Sequence, residues 1–200
     1  MRQLTPLAIV LLGVLASFNA SATDAADTSC TLLARDELSG LGVNKDTAFL
    51  SSHVNWYETP KEIPDAKGVT YRCMVDLDVP GSGMVLLLSV ESFKGKVTED
   101  QVGKWLKAVA EADTNQEGAT PVKIGAATCE TGSYELKHAT LDGSIEKINE
   151  IYVACDEQVG TRHVSLNIHA PEANKSALPT LEKTKSILDN SVRRLRENKG

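Results

Sequence analysis

Two histidines stand six residues apart in Arg162-His163-Val164-Ser165-Leu166-Asn167-Ile168-His169. Imidazole changes charge near neutral pH and is the commonest nitrogen ligand for metals, so the pair invites acid–base or metal chemistry. The residues between them alternate. In an extended chain Val164, Leu166 and Ile168 point to one side, and His163, Ser165, Asn167 and His169 to the other. Six residues of strand span about 20 Å, too far for one ion to reach both imidazoles. The pattern therefore points to a polar strand face, solvated or able to bind a polar ligand. His163, Ser165, Asn167 and His169 are the candidate binding residues, and no metal site is expected. His53 and His138 have no partner in sequence and read as surface residues.

Other chemistry-bearing patterns fit plainer roles. Asp76 and Asp78 share a face near Gly81-Ser82-Gly83 and could offer oxygens to Ca²⁺, but no EF-hand spacing accompanies them, and a strand end entering a turn accounts for them. Ser144-Ile145-Glu146-Lys147 matches Ser-x-x-Lys without the Ser-Asp-Asn and Lys-Thr-Gly companions that give that motif meaning, so the match reads as chance. Nucleophile-elbow, zinc-protease, Walker and dinucleotide patterns are absent, which lowers the prior for an enzyme without excluding one. The basic tail Arg193-Arg194-Leu195-Arg196 suits the negative end of a helix dipole better than an anionic lipid or partner.

These residues need elements to hold them. Leu32, Leu33, Leu38 and Leu41 recur near helical spacing, with Gly42 as a stop. A strand over Ala48–Tyr57 would place Ala48, Leu50, Val54 and Trp56 on one face, and Pro60–Gly68 reads as a loop. Tyr71–Asp78 and Met84–Phe93 alternate strongly around a Val79–Gly83 turn and form a hairpin. Thr98 and Gln101 make a capping box for a helix whose stripe is Val102, Trp105, Leu106, Val109 and Ala110, with Val97 as staple. After a polar loop at Asp113–Thr120 come strands at Val122–Cys129, Ser133–Leu141, Ser144–Cys155 and Arg162–His169, with turns at Asp142-Gly143 and Gln158–Thr161. Ile145, Ile151, Val153 and Cys155 share a face. A last helix covers Leu178–Glu197, capped by Ser176, with Pro179 in its first turn and Leu181, Leu188, Val192 and Leu195 inward. The order helix, strands, helix, strands, helix predicts an α+β fold, an antiparallel sheet with helices packed on it.

Residues 1–22 have the marks of a secretory leader: Arg2, the apolar run Leu7–Ala16 and the small-x-small site Ala20-Ser21-Ala22. The run is too short to span a bilayer. Cleavage would leave residues 23–200 as one domain of 178 residues, periplasmic or secreted, with net charge −7 because Arg2 leaves with a leader that holds no acid. A full-chain charge of −6 argues against a nucleic-acid binder, and 42% hydrophobic with 24% charged residues is ordinary for a globular chain. Cys30, Cys73, Cys129 and Cys155 are an even set in an exported chain, which implies two disulfides. Three pairings are possible, and pairing within each half gives the simplest topology. No Cys-x-x-Cys or neighbouring histidine suggests zinc or redox chemistry.

The run from Cys30 through Thr31-Leu32-Leu33-Ala34-Arg35-Asp36-Glu37-Leu38-Ser39-Gly40-Leu41 to Gly42, followed by a strand cysteine at Cys73, resembles a group of uncharacterised exported bacterial proteins, best known as actinobacterial envelope lipoproteins. The resemblance covers most of the chain after the leader. It implies the α+β layout, export and a Cys30–Cys73 bridge, and it carries no catalytic residue. This chain differs in lacking a lipobox, in having Val75 where an aromatic often follows the strand cysteine, and in adding Cys129 and Cys155.

The expectation is an exported, non-enzymatic binding protein of the cell envelope that uses no cofactor and engages a protein or small ligand, with an envelope protein as candidate partner. Two other readings stand beside it: a periplasmic immunity or inhibitor protein against a toxin or hydrolase, its acidity suiting a basic target, and a hydrolase without a recognisable motif.

Overall fold

Alternation along Arg162–Pro171 places Val164, Leu166, Ile168 and Ala170 in a fully buried layer, and the strands on either side extend that layer in both directions. The computed structural model describes residues 28–55, 67–77, 83–94, 97–112, 119–139 and 145–197. It contains seven strands: β1 (Phe49–Asn55), β2 (Lys67–Leu77), β3 (Met84–Lys94), β4 (Val122–Ile124), β5 (Ala127–Ala139), β6 (Ile145–Val159) and β7 (Arg162–Pro171). They form one sheet in the order β1-β2-β3-β7-β6-β5-β4, every neighbouring pair antiparallel. Four helices accompany it: α1 (Thr28–Thr31), α2 (Arg35–Leu38), α3 (Glu99–Ala112) and α4 (Leu181–Glu197). The fold is α+β, in the element order read from the sequence.

One sheet face carries the core. Cys73, Val75 and Leu77 of β2, Met84, Leu86, Leu88 and Val90 of β3, and Val153 and Cys155 of β6 join the β7 residues there. The N-terminal leucines Leu32, Leu33, Leu38 and Leu41 and the α4 residues Ile187, Leu188, Val192 and Leu195 cover them. The two helical segments are clamped together. Arg194 of α4 donates to the Leu32 carbonyl at 2.8 Å and pairs with Glu37 through both guanidinium nitrogens, and the Ser191 hydroxyl lies 3.1 Å from the Leu32 carbonyl. The other tail arginines are paired too: Arg193 with Glu197 at the surface, and the half-exposed Arg196 with the buried Glu157.

The disulfides are Cys30–Cys73, tying α1 to β2, and Cys129–Cys155, joining directly opposed positions of β5 and β6. Pairing is within each half, and the bridge implied by the family resemblance is present.

Several expectations need correction. The first helical stretch is broken into α1, α2 and a 3₁₀ turn over Ser39–Leu41, stopped by Gly42 at φ 83° as read. In β1 the inward residue is Phe49, packed against the core beneath the Arg35 guanidinium, while Leu50 is outward. Gly68 belongs to β2, outside the loop assigned to it. Val122–Cys129 is not one strand: a turn at Gly125-Ala126, with Gly125 at φ 66°, separates β4 from β5. Thr180, not Ser176, caps α4, its hydroxyl accepting from the Lys183 amide at 3.2 Å, and Pro179 lies just before the helix. The leader, most of the Pro60–Gly68 loop, the Asp142-Gly143 turn, Asp78 and Ser144 lie outside the described residues. No helix among the described residues is long and apolar enough to cross a membrane.

Candidate functional site

The second face of the sheet is polar along β7. It holds His163, Ser165, Asn167 and His169 of β7, all half-buried and on the side opposite the core. The structure brings these four into one row, as the alternation required. Strand register supplies what the sequence did not: Glu91 lies opposite His163 on β3, Ser89 opposite Ser165, and Asp156, Ala154 and Tyr152 of β6 opposite Ser165, Asn167 and His169.

Two histidine–carboxylate clusters result. At one end His163 Nδ1 lies 2.9 Å from Glu91 and Nε2 lies 3.4 Å from Asp156. Its side chain is only 15% exposed. Burial alone would lower the imidazole pKa, but the hydrogen bonds to Asp156 and Glu91 outweigh it and raise the value to about 9. His163 is therefore an imidazolium at neutral pH with both nitrogens engaged. Such a group holds structure and charge; it is not poised as a general base.

Helix α3 closes this end. Its capping box forms as read, the Gln101 amide donating to the Thr98 hydroxyl and the Thr98 amide to the Gln101 side chain. Val102 and Trp105 make a second small core with Phe93, Val97 and Leu106. Trp105 packs edge-on to both Phe93 and His163. Gln158, near the β6–β7 turn, donates to the Glu99 carbonyl at 2.8 Å and fixes the start of α3.

At the other end His169 Nδ1 lies 2.8 Å from Glu150, which also accepts from the Tyr134 hydroxyl at 2.7 Å. Burial, and then the bond to Glu150, push the Tyr134 phenol above its ordinary range, so it remains a donor. Tyr152 donates to Glu130 at 3.1 Å and lies over Gly132, where a β-carbon would meet its hydroxyl at 2.6 Å. Glu130, Tyr134, Glu150 and Tyr152 were missed by sequence reading. Their alternation within β5 and β6 is legible, but which strands flank β7 is not.

Between the clusters lies Asn167, flanked by Leu87 and Ala154. Its side-chain oxygen is buried and has no hydrogen-bond partner among the described residues. Native structures leave few such atoms unpaired. The face thus presents fixed donors and carboxylates around one unused acceptor, with α3 over one end. Among the described residues, no three His, Cys, Asp or Glu side chains converge to hold a metal ion. His53 is exposed on β1, and the side chain of His138 lies outside the described residues.

No protein-family model matches the chain, and no curated protein matches it. Among solved structures it is similar to the extracellular domain of PknH from Mycobacterium tuberculosis, at 10% identity and a TM-score of 0.48, over 88% of this chain and 99% of that one.

Proposed function

We propose that this protein is an exported, non-enzymatic binding protein of the cell envelope, and that it engages a protein or small polar ligand through the His163, Ser165, Asn167 and His169 face. The observation that carries this reading is the buried, unpartnered Asn167 oxygen, set between two clusters whose side chains are already held by hydrogen bonds. A pre-ordered polar surface loses less entropy when a ligand arrives. Two disulfides support export, because such bonds persist in oxidising compartments. The engaged, high-pKa state of His163 weighs against the hydrolase alternative.

The test is retention from envelope extract by the immobilised mature chain, beside Asn167→Arg and a control substitution at exposed Glu182 on α4. The small-molecule fraction of the same extract is tested by thermal shift. A component that the wild type and the α4 variant retain, and Asn167→Arg loses, supports the reading. Retention unaffected by Asn167→Arg, or no component in either fraction, overturns it.

A further inference from the structure

The two long helices are seated differently. α4 lies on the main core through Ile187, Leu188, Val192 and Leu195, and Ser191 and Arg194 bond it to the N-terminal segment. α3 lies on the second face, and its buried residues Val102 and Trp105 form a small, separate cluster with Phe93, Val97 and Leu106. Both disulfides belong to the main core: Cys73, Cys129 and Cys155 are buried in it, and Cys30 packs against it. Neither bridge restrains α3.

The floor beneath α3 also differs from the floor beneath α4. Trp105 rests against His163, whose ring nitrogens are held by Glu91 and Asp156. Those contacts run within the sheet, between β3, β7 and β6, so lifting α3 orphans none of the three groups. The Thr98–Gln101 capping box and the exposed Asp100–Lys104 pair are internal to α3 and travel with it. Lifting breaks the small apolar cluster and the Gln158 bond to the Glu99 carbonyl, and it leaves the main core whole.

We infer that α3 is a lid: it opens as a unit while the disulfide-bonded sheet and α4 stay folded, and opening admits small molecules to the His163, Glu91 and Asp156 end of the second face. A segment with few buried apolar contacts opens locally at lower free energy than the whole fold. The use of the lid to gate a ligand rests on the binding face proposed above; the opening itself does not.

Native-state hydrogen exchange of the disulfide-intact protein tests the opening. Hydrogen-bonded amides of α3 are expected to exchange about a hundredfold or more faster than those of β7 and α4. Their rates should respond little to urea below the unfolding transition, because a local opening exposes little surface. α3 amides that exchange only together with β7, at the same urea dependence, overturn the inference. Val102→Asp places an unpaired carboxylate in the small cluster and drives the lid open. In that variant α3 amides lose protection, β7 and α4 amides keep theirs, and a soluble nitroxide broadens His163 ring resonances that the wild type shelters. A variant that unfolds throughout, a His163 ring that stays sheltered in it, or a ring broadened equally in the wild type also overturns the inference. Failed retention from envelope extract would refute the binding face and leave these exchange results standing.

Discussion

Replacing His163 with glutamine removes the positive charge held between Glu91 and Asp156 while leaving an amide that can still donate to them. The imidazole pKa moves from its ordinary 6.5 in the unfolded chain to about 9 in the fold. That interval is worth about 3 kcal/mol of stability. Because the folded value is the raised one, the contribution is complete below about pH 6.5 and disappears as pH rises through about 9. The groups facing the imidazole are Glu91 from β3, Asp156 from β6 and the Trp105 ring from α3. Urea unfolding of wild type and His163→Gln, disulfides intact, is followed by tryptophan fluorescence from about pH 6 to about pH 10. The wild-type advantage should be about 3 kcal/mol at the acid end of this range and approach zero at the alkaline end. Titration of the His163 ring protons by NMR supplies the folded pKa independently. A stability difference that does not change with pH, or a ring that titrates below neutrality, would refute the account of this cluster.

Gly132→Ala forces the Tyr152 ring off its seat and should cost about 1–3 kcal/mol in urea unfolding, with a shifted Tyr152 ring resonance; an unchanged midpoint would mean the ring yields freely. Thr98→Ala removes the hydroxyl that accepts from the Gln101 amide and should cost about 1 kcal/mol, with faster hydrogen exchange in the first turn of α3. The Cys30–Cys73 and Cys129–Cys155 bridges close loops separated by 43 and 26 residues, so replacing each pair with serine should cost about 4 and about 3.5 kcal/mol by chain entropy. Thiol titration of the denatured, unreduced protein should find none free.

Where the physics is local, the sequence was readable. β2, β3 and β7 alternate cleanly because the central residues on one face of each are buried, and the α3 capping box needs only residues three apart. The failures lie where tertiary contacts decide. Apolar residues at Leu50 and Val54 suggest the inward face of β1, yet Leu50 is exposed and Phe49 packs against the core beneath Arg35, which is bonded to the carbonyls of Asn44 and Thr47. Gly125-Ala126 is too short a break to divide β4 from β5 without knowing that Ile124 returns to pair with Ala127. The candidate site divides the same way. Period-two spacing placed four β7 side chains together, whereas Glu91 and His163 are 72 residues apart and meet only through the β3–β7 register.

β7 states the functional argument most sharply. Through Val164, Leu166 and Ile168 it builds one layer with aliphatic packing, and through the alternate positions it builds another from hydrogen-bonded charge. Aliphatic side chains would hold α3 on the sheet at lower desolvation cost, since burying an ion pair often gains little stability over a well-packed hydrophobic alternative. Stability alone therefore does not account for the second layer. A fixed arrangement of donors and acceptors is what recognition requires, and the spare Asn167 oxygen lies within it.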